Sequence, residues 1–207
     1  VLHLQPGGGR SSSDYLPFVN IETQGEGMIV GLGWSGEWAI DLDRAARLAE
    51  IGWSLMHENF QLAAWLGWVK QLPASVRRDR PVLCTQMGWA HMDAGNVHAS
   101  ESSLRDAEQC LNLLSNEMIV VENGQFQTLP ARIAFVRAYN AQSQHRFLDA
   151  VKYAEMALDL TPNEDDFMYA QTSTLLMGTH WANGNLDVAC TLVGEWIEAS
   201  KQAGKLF

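Results

Sequence analysis

The order of hydrophobic and polar positions changes once along the chain, close to Asp41. From there on, apolar residues recur with the 3.6-residue period of an amphipathic helix. Breaks at Gly95, Asn123-Gly124, Pro162 and Gly184-Asn185 leave only short connections. The pattern therefore predicts antiparallel helix pairs. The eight helices are expected at 42–56, 59–71, 81–94, 97–115, 127–143, 147–160, 166–183 and 186–203.

Residues 1–40 follow a different pattern. The stretch "GGGRSSS" (7–13) has the composition of a flexible linker. Two runs, "YLPFVNIE" (15–22) and "GMIVGLGW" (27–34), read as β-strands on either side of a glycine-containing turn, which predicts a hairpin. An isolated hairpin is marginal in water, so it would pack on the helices, pair with another chain into a homo-oligomer, or belong to a larger sheet. We expect a helical domain at 41–207.

Three helix pairs share one spacing. Each has an anchor near the end of its first helix, at Gly88, Ala138 or Met177, and the anchors lie 50 and 39 residues apart. Small side chains let two helices approach closely. Twelve positions after each anchor comes such a residue: Ser100, Ala150 and Ala189. Degenerate units of roughly 40 residues predict a solenoid of helical hairpins.

The second of these units matches the tetratricopeptide pattern in part. Ala150, Ala157 and the closing Pro162 occupy its small and terminal positions, whereas Ala154 replaces its usual aromatic residue. Pro162 lacks a backbone donor and restricts the residue before it, so the helix should end there. The expected fold class is all-α: an antiparallel helical-hairpin (TPR-like) solenoid with a short N-terminal β-hairpin appendage.

The helical part also resembles a known family. The stretch beginning "AAWLGWVKQLPASVRRDRP" has the W-L, L-P, arginine-rich and proline elements of that family, followed by a helix ending at Gly95. Residues 42–207 resemble the helical-repeat region of LuxR-type (maltotriose-activator-like) ATP-dependent transcription regulators. The resemblance implies a superhelix that senses a sugar or a protein partner. It does not imply ATP or DNA binding, since the chain has no GxxxxGK[ST] and lacks the family's helix-turn-helix.

A second resemblance covers residues 15–38. The motif G-W-x-G-x-W, here Gly33, Trp34, Gly36 and Trp38, is similar to a strand end in the β-sandwich domain of family 36-type α-galactosidases. The catalytic carboxylates of that family lie in a barrel that this sequence lacks, so none is assigned here. Two unrelated resemblances in one chain imply a fusion with its junction near residues 38–41.

Charge and composition narrow the choice of partners. The net charge of −10 and the pI of about 4.9 disfavour binding of a phosphate backbone by this segment. No apolar run reaches the roughly 20 residues that cross a bilayer, and no secretory signal precedes the helices. Three cysteines without a CxxC motif argue against disulfides and zinc, so we expect three buried thiols in a cytoplasmic protein.

Catalytic signals are weak. "GWSGE" (33–37) fails the G-x-S-x-G rule of a nucleophile elbow, and no histidine pair has metal-ligand spacing. We therefore expect no metal and no cofactor. A glycoside hydrolase (galactosidase-like) remains the alternative, because a glycosidase needs only two suitably spaced carboxylates. The candidate acids are Glu22, Glu26, Glu37, Asp41 and Asp43, for which solvation or a helix N-terminus is the simpler role.

The strongest binding signal is a set of aromatic and polar residues on the first helices of the three units. Counting from the anchors places these residues on one side, the concave side of a solenoid. Rings that stack, together with polar heads that fix orientation, suit an oligosaccharide or a peptide. The alternative is ordinary packing between helices. The candidate residues are Trp89, Arg132, Phe135, Tyr139, Gln171 and Trp181. The expected function is non-catalytic binding of a small ligand or of a protein or peptide partner.

Overall fold

In the computed structural model the residues that are described are almost entirely helical, so the predicted all-α class is confirmed. The structure describes residues 32–34, 37–39, 42–113, 119, 123–162 and 165–202. The chain divides into two compact units, residues 1–77 and 78–207. The predicted boundary at residues 40–41 lies outside the described residues and stays a prediction.

The first unit contains a short hairpin and a helix pair. Its elements are β1 (Leu32–Trp34), β2 (Glu37–Ala39), α1 (Leu42–Glu58) and α2 (Leu62–Val69). A five-residue helix, α3 (Ala74–Arg78), spans the division between the units. The two strands pair antiparallel, with Gly33 opposite Trp38. Aromatic residues such as Trp38 favour strands, but β2 was not predicted. The predicted strand at 15–22 lies outside the described residues.

The second unit is built from helix pairs in sequence order. Its elements are α4 (Pro81–Asp93), α5 (Val97–Leu113), α6 (Asn123–Gln127), α7 (Leu129–Ser143), α8 (Phe147–Leu160), α9 (Asp166–Ala182) and α10 (Leu186–Gln202). α4 packs on α5, α7 on α8 and α9 on α10, while α7 also contacts α4 and α9 contacts α8. All eight predicted helices are present. The five-residue helices α3 and α6 were missed because one turn carries too few positions to show a period.

The same turn closes each of these three pairs. The residue after the cap has a left-handed backbone: Gly95 with φ 71°, His145 with φ 58° and Gly184 with φ 80°. In the first pair, the amide of Gly95 donates to the carbonyl of Met92 and the amide of Asn96 to that of His91, both at 2.9 Å. The other two turns repeat this bonding. It is the Schellman arrangement, which satisfies the last carbonyls of a helix.

Small residues bring the paired helices together, as the spacing predicted. Ser100 and Ala150 are fully buried and Ala189 is nearly so. A Cβ built on Gly88 would lie 2.6 Å from a methyl carbon of Leu104, so α4 and α5 touch where only glycine fits. Helix α8 ends at Leu160, and Thr161 before the proline is extended, with ψ 124°.

Candidate functional site

The six predicted site residues lie on the first helices of the three pairs and fall into two groups. Trp89 is on α4, Arg132, Phe135 and Tyr139 are on α7, and Gln171 and Trp181 are on α9. The first group is buried between helices, and the second is at least partly open to solvent.

Trp89 and Phe135 form the buried group. Their ring centroids are 4.8 Å apart with an interplanar angle of 25°, so the rings stack where α4 meets α7. Their exposed fractions are only 6% and 5%. The alternative of inter-helix packing therefore applies to these two residues, and we correct their placement on an open face. A helical period predicts the face of the helix on which a side chain lies, but it does not predict which other helix packs against that face.

The same stack is not repeated one pair later. By the offsets of the anchors, Tyr139 takes the place of Trp89, and Thr174 takes the place of Phe135. Thr174 has no ring; its hydroxyl donates to the carbonyl of Ala170 at 2.8 Å on its own helix. Tyr139 accordingly keeps 41% of its surface exposed. The positions equivalent to the two stacked rings of α4–α7 therefore carry one ring and one threonine on α7 and α9.

The neighbouring part of α9 has a glycine, so no side chain projects from the helix there. Gly178 is the equivalent of Tyr139, and a Cβ there would meet only Nε2 of Gln142, at 3.7 Å. That nitrogen donates to Oγ1 of Thr179 at 3.0 Å, which links α7 to α9. Trp181 lies one turn further along and is 69% exposed. The indole and the phenol therefore remain accessible on adjoining helices.

Two polar groups accompany these rings. Arg132 donates from Nε to Oγ1 of Thr128 at 3.1 Å. Burial lowers the pKa of Arg132, and the carboxylate of Asp165 opposes that shift. The guanidinium stays protonated even so. Among the described residues, the buried Oε1 of Gln171 has no hydrogen-bond partner. An unpaired buried acceptor is uncommon, and a donor supplied by a ligand would satisfy it.

These residues define what we call the α7–α9 surface: Arg132, Tyr139, Gln142, Gln171 and Trp181. From Gln171 to Trp181 the surface extends about 15 Å along α9, at about 1.5 Å per helical residue. Sequence reasoning missed Gln142, although its position four residues after an anchor is that of Trp181 in the next unit. The surface offers two rings, one cation and an acceptor.

A polar network that the sequence did not reveal joins α5 to α7. The guanidinium of Arg137 forms a two-pronged pair with the carboxylate of Glu108, one contact being 2.7 Å, and contacts Glu101 at 3.4 Å. The fully buried Asn140 donates to Oγ of Ser100 at 2.9 Å and to Glu101 at 3.1 Å. The pair with Glu108, more than the opposing burial, raises the pKa of Arg137. Because Arg137 already pairs with the carboxylates of Glu101 and Glu108, we assign these two acids a structural role in holding α5 against α7.

The cysteines differ from the expectation of three buried thiols. Cys84 is buried, Cys110 is half-buried and Cys190 is exposed. The thiol of Cys110 donates to the carbonyl of Arg78. Burial, with Asp79 and Asp106 adding to it, raises the pKa of Cys110. A raised pKa leaves less thiolate, so Cys110 is a poor nucleophile.

The acids of the hydrolase alternative are largely beyond the described part of the chain. Glu22, Glu26 and Asp41 lie outside it, and only the backbone of Glu37 is described. Asp43 sits in the first turn of α1, where the helix dipole favours a carboxylate, as expected. The alternative therefore stays a prediction. Within the described ranges, no three metal-binding side chains cluster.

The comparisons with known proteins add no family assignment. Neither protein-family models nor curated proteins nor solved structures match the chain. Within the part of the chain that the structure describes, every helix is too short or too polar to span a membrane.

Proposed function

We propose that the chain is a non-catalytic helical-repeat module that binds an oligosaccharide, or a peptide of a protein partner, on its α7–α9 surface. The observation that carries this proposal is the unfilled equivalent of the Trp89–Phe135 stack. The two positions that hold stacked rings at α4–α7 correspond, by their offsets from the anchors, to Tyr139 and Thr174 on α7 and α9. A sugar ring or an aromatic side chain of a ligand would take the missing place.

The chemistry of the surface suits such a ligand. The rings of Tyr139 and Trp181 are exposed and provide apolar faces for stacking. Arg132 donates in a fixed planar geometry, and Oε1 of Gln171 accepts a hydroxyl or amide proton. Binding sites commonly combine apolar walls with a few such oriented polar groups. Both an oligosaccharide and a peptide meet these requirements.

We further propose that the repeat is a TPR-like solenoid, of the kind found in LuxR-type regulators, with the α7–α9 surface on its concave side. Three pairs with the same closing turn and the same small-residue spacing support this proposal. The β1–β2 hairpin would be an appendage of the solenoid and could pair with another chain. Cytoplasmic residence, as a regulator sensor region, belongs to the same proposal.

Calorimetric titration with maltotriose, maltohexaose and a library of short peptides tests the binding surface. Tyr139→Ala and Trp181→Ala should each weaken binding about fivefold or more, because stacking contributes about 1 kcal/mol or more per ring. The matched control is Tyr169→Ala. Tyr169 is also an exposed aromatic residue of α9, but it lies about 160° around the helix from Gln171, counted as two 100° steps. Equal loss in all three variants, or in none, would refute the proposed surface.

A further inference from the structure

The two arginines of α7 differ in the partners that they have. The guanidinium of Arg137 contacts Glu108 at 2.7 Å and Glu101 at 3.4 Å. Arg132 is half-buried, and its Nε donates to a neutral group, Oγ1 of Thr128, at 3.1 Å. Among the described residues, no carboxylate lies within ion-pair distance of Arg132. Arg132 is therefore a half-buried cation without an anion in contact.

The electrostatics of the two guanidinium groups reflect this difference. The hydrogen bond to Glu108 is the largest effect on Arg137 and raises its pKa. Burial is the largest effect on Arg132 and lowers its pKa, and the charge of Asp165 opposes that shift without cancelling it. The carboxylate of Asp165 is engaged elsewhere, because it accepts from the amide of Met168 as the cap of α9. An anion supplied by a ligand would stabilise the charged form of Arg132.

Arg132 and Tyr139 lie on one face of α7, because the seven residues between these positions make almost two full turns of a helix. Their backbones are about 10 Å apart along the axis, at about 1.5 Å per residue. The hydroxyl of Thr128 holds Nε of Arg132 and itself donates to the carbonyl of Gln125 at 3.0 Å. Within the described residues, the terminal nitrogens of Arg132 make no hydrogen bond, so both can donate to a ligand.

The acids of the second unit lie mainly on other helices. Each of α5, α8 and α10 carries three acidic residues and one basic residue. By contrast, α4 and α9 carry one acid each, Asp93 and Asp166, and α7 carries two arginines and no acid. The equivalents of Arg132 on α4 and α9 are the neutral Val82 and Gln171. Among the helices α4, α7 and α9, only α7 therefore combines a cation with an exposed ring.

We propose that the ligand of the α7–α9 surface is an acidic peptide, with an aromatic side chain stacked on Tyr139 and a carboxylate about three residues away bound to Arg132. An extended peptide of the polyproline II type places every third residue on one side, about 9 Å apart, which matches the spacing on α7. The terminal nitrogens of an arginine fit a carboxylate in a two-pronged pair, as between Arg137 and Glu108. The inference rests on the proposed function and narrows its two ligand classes to one.

The aromatic pair and the cation both favour a peptide over an oligosaccharide. At the equivalent positions of α4 and α7, Trp89 stacks on the flat ring of Phe135 with an interplanar angle of 25°. A phenyl or indole side chain reproduces that geometry on Tyr139. A neutral sugar would cover Arg132 without supplying an anion, and a partly buried cation without an anion is costly. A peptide supplies the ring and the carboxylate from two of its side chains.

Two short peptides with blocked ends test the preference for an acid on the full chain. Each has a central phenylalanine in a glycine–serine background, with either glutamate or glutamine three residues away on both sides, so that the direction of binding does not matter. In calorimetric titration the glutamate peptide should bind at least tenfold more tightly, and raised salt should reduce the difference. Equal affinities overturn the acid preference and leave the α7–α9 surface as a peptide site. Failure of both peptides to bind overturns the peptide ligand, and the oligosaccharide titrations then decide the proposed function separately.

Variants of Arg132 locate the bound carboxylate. Arg132→Gln should bring the ratio of the two affinities close to one, and Arg132→Lys, which keeps the charge but loses the paired donors, should give an intermediate ratio. The matched control Arg146→Gln removes an exposed arginine from the turn between α7 and α8 and should keep the tenfold ratio. Circular dichroism checks that each variant is folded. A ratio that survives both substitutions of Arg132 refutes the site.

An acidic saccharide is the competing ligand, because it also carries carboxylates. Trigalacturonate is therefore titrated under the same conditions as the glutamate peptide. The peptide should bind more tightly, since the saccharide has no aromatic ring to stack on Tyr139. Tighter binding of trigalacturonate would refute the peptide as the ligand.

Discussion

The α1–α2 pair of the first unit and the α4–α5 pair of the second share a turn but differ in packing. At the turn, Phe60 has φ 56° and takes the place of Gly95, with the same two backbone hydrogen bonds. Trp53 and Trp65 then occupy the positions of Gly88 and Ser100. The two indoles meet edge to face with centroids 4.8 Å apart, and Nε1 of Trp65 donates to the carbonyl of Ala49 at 2.9 Å.

In the α4–α5 pair, the same two positions are Gly88 and Ser100, which have almost no side chain. Oγ of Ser100 donates to the carbonyl of Gly88 at 2.8 Å, and Leu104 fills the space that a side chain at position 88 would need. The backbone turn therefore makes a pair, and side-chain volume determines how the pair is packed. A unit defined by small residues alone misses the α1–α2 pair, which is why the sequence showed only three units.

The largest expected effect is at the indole contact of the first unit. Trp65→Ala removes a side chain that is 1% exposed and should lower the free energy of unfolding by about 4 kcal/mol. Trp68→Ala on the same helix removes an indole that is only half-buried and should cost clearly less. Urea denaturation followed by circular dichroism measures both. Similar losses would mean that Trp65 does not hold the pair together.

The close contact of the second unit should respond to added volume. Gly88→Leu forces Leu104 aside and should destabilise by about 3 kcal/mol through overpacking. Gly52→Ala in α1, where a Cβ meets nothing within 4 Å, should instead stabilise by about 0.5–1 kcal/mol through helix propensity. The same denaturation experiment applies. A tolerated leucine at position 88 would contradict the close approach of α4 and α5.

The ion network joins pairs in the second unit. Arg137→Ala leaves Glu101 and Glu108 without their cation and should destabilise by about 2 kcal/mol. Arg146→Ala breaks an exposed pair with Asp149, which is worth about 0.5 kcal/mol or less. Thermal denaturation at low and high salt compares them. An equal effect of the two substitutions would assign the network no structural role.

The smallest effects are expected at the turns, and their signs should differ. Gly95→Ala places a Cβ on a left-handed residue and should destabilise by about 1 kcal/mol. Phe60→Gly removes an almost fully exposed ring from the equivalent position and should stabilise by up to about 1 kcal/mol. Differences in the midpoint of urea unfolding report both. Changes of the same sign would refute the equivalence of the two turns.

Local signals in the sequence predicted most of the second unit. The helical period, the glycine turns and Pro162 predicted where the long helices lie. Asp165, one of the two residues expected to cap α9, does so by accepting a hydrogen bond from the amide of Met168 at 3.1 Å. Small residues correctly marked the buried contacts between paired helices. These features succeeded because each depends on residues within a turn or two of one another.

What failed depends on partners far along the chain. Trp89 and Phe135 lie on the helix faces that the period predicted. Those faces are not open, because the two rings, 46 positions apart in the sequence, stack on each other. The contact of Arg137 with α5 was missed for the same reason, because its partners on α5 lie far away in the sequence. The turn at Phe60 was missed for a different reason, since a left-handed phenylalanine gives no glycine signal. Tyr139 and Trp181 remain candidates because the structure leaves both exposed.

The proposal that a ring is missing beside Tyr139 is tested most directly by placing a ring at position 174. Thr174→Phe, compared with Tyr139→Ala and the double variant in a thermodynamic cycle, should show a coupling of about 1 kcal/mol, as expected for a ring pair like Trp89 and Phe135. The single variant Thr174→Phe should also abolish binding of any ligand that the wild-type surface takes. Zero coupling, with ligand binding unchanged, would contradict the account.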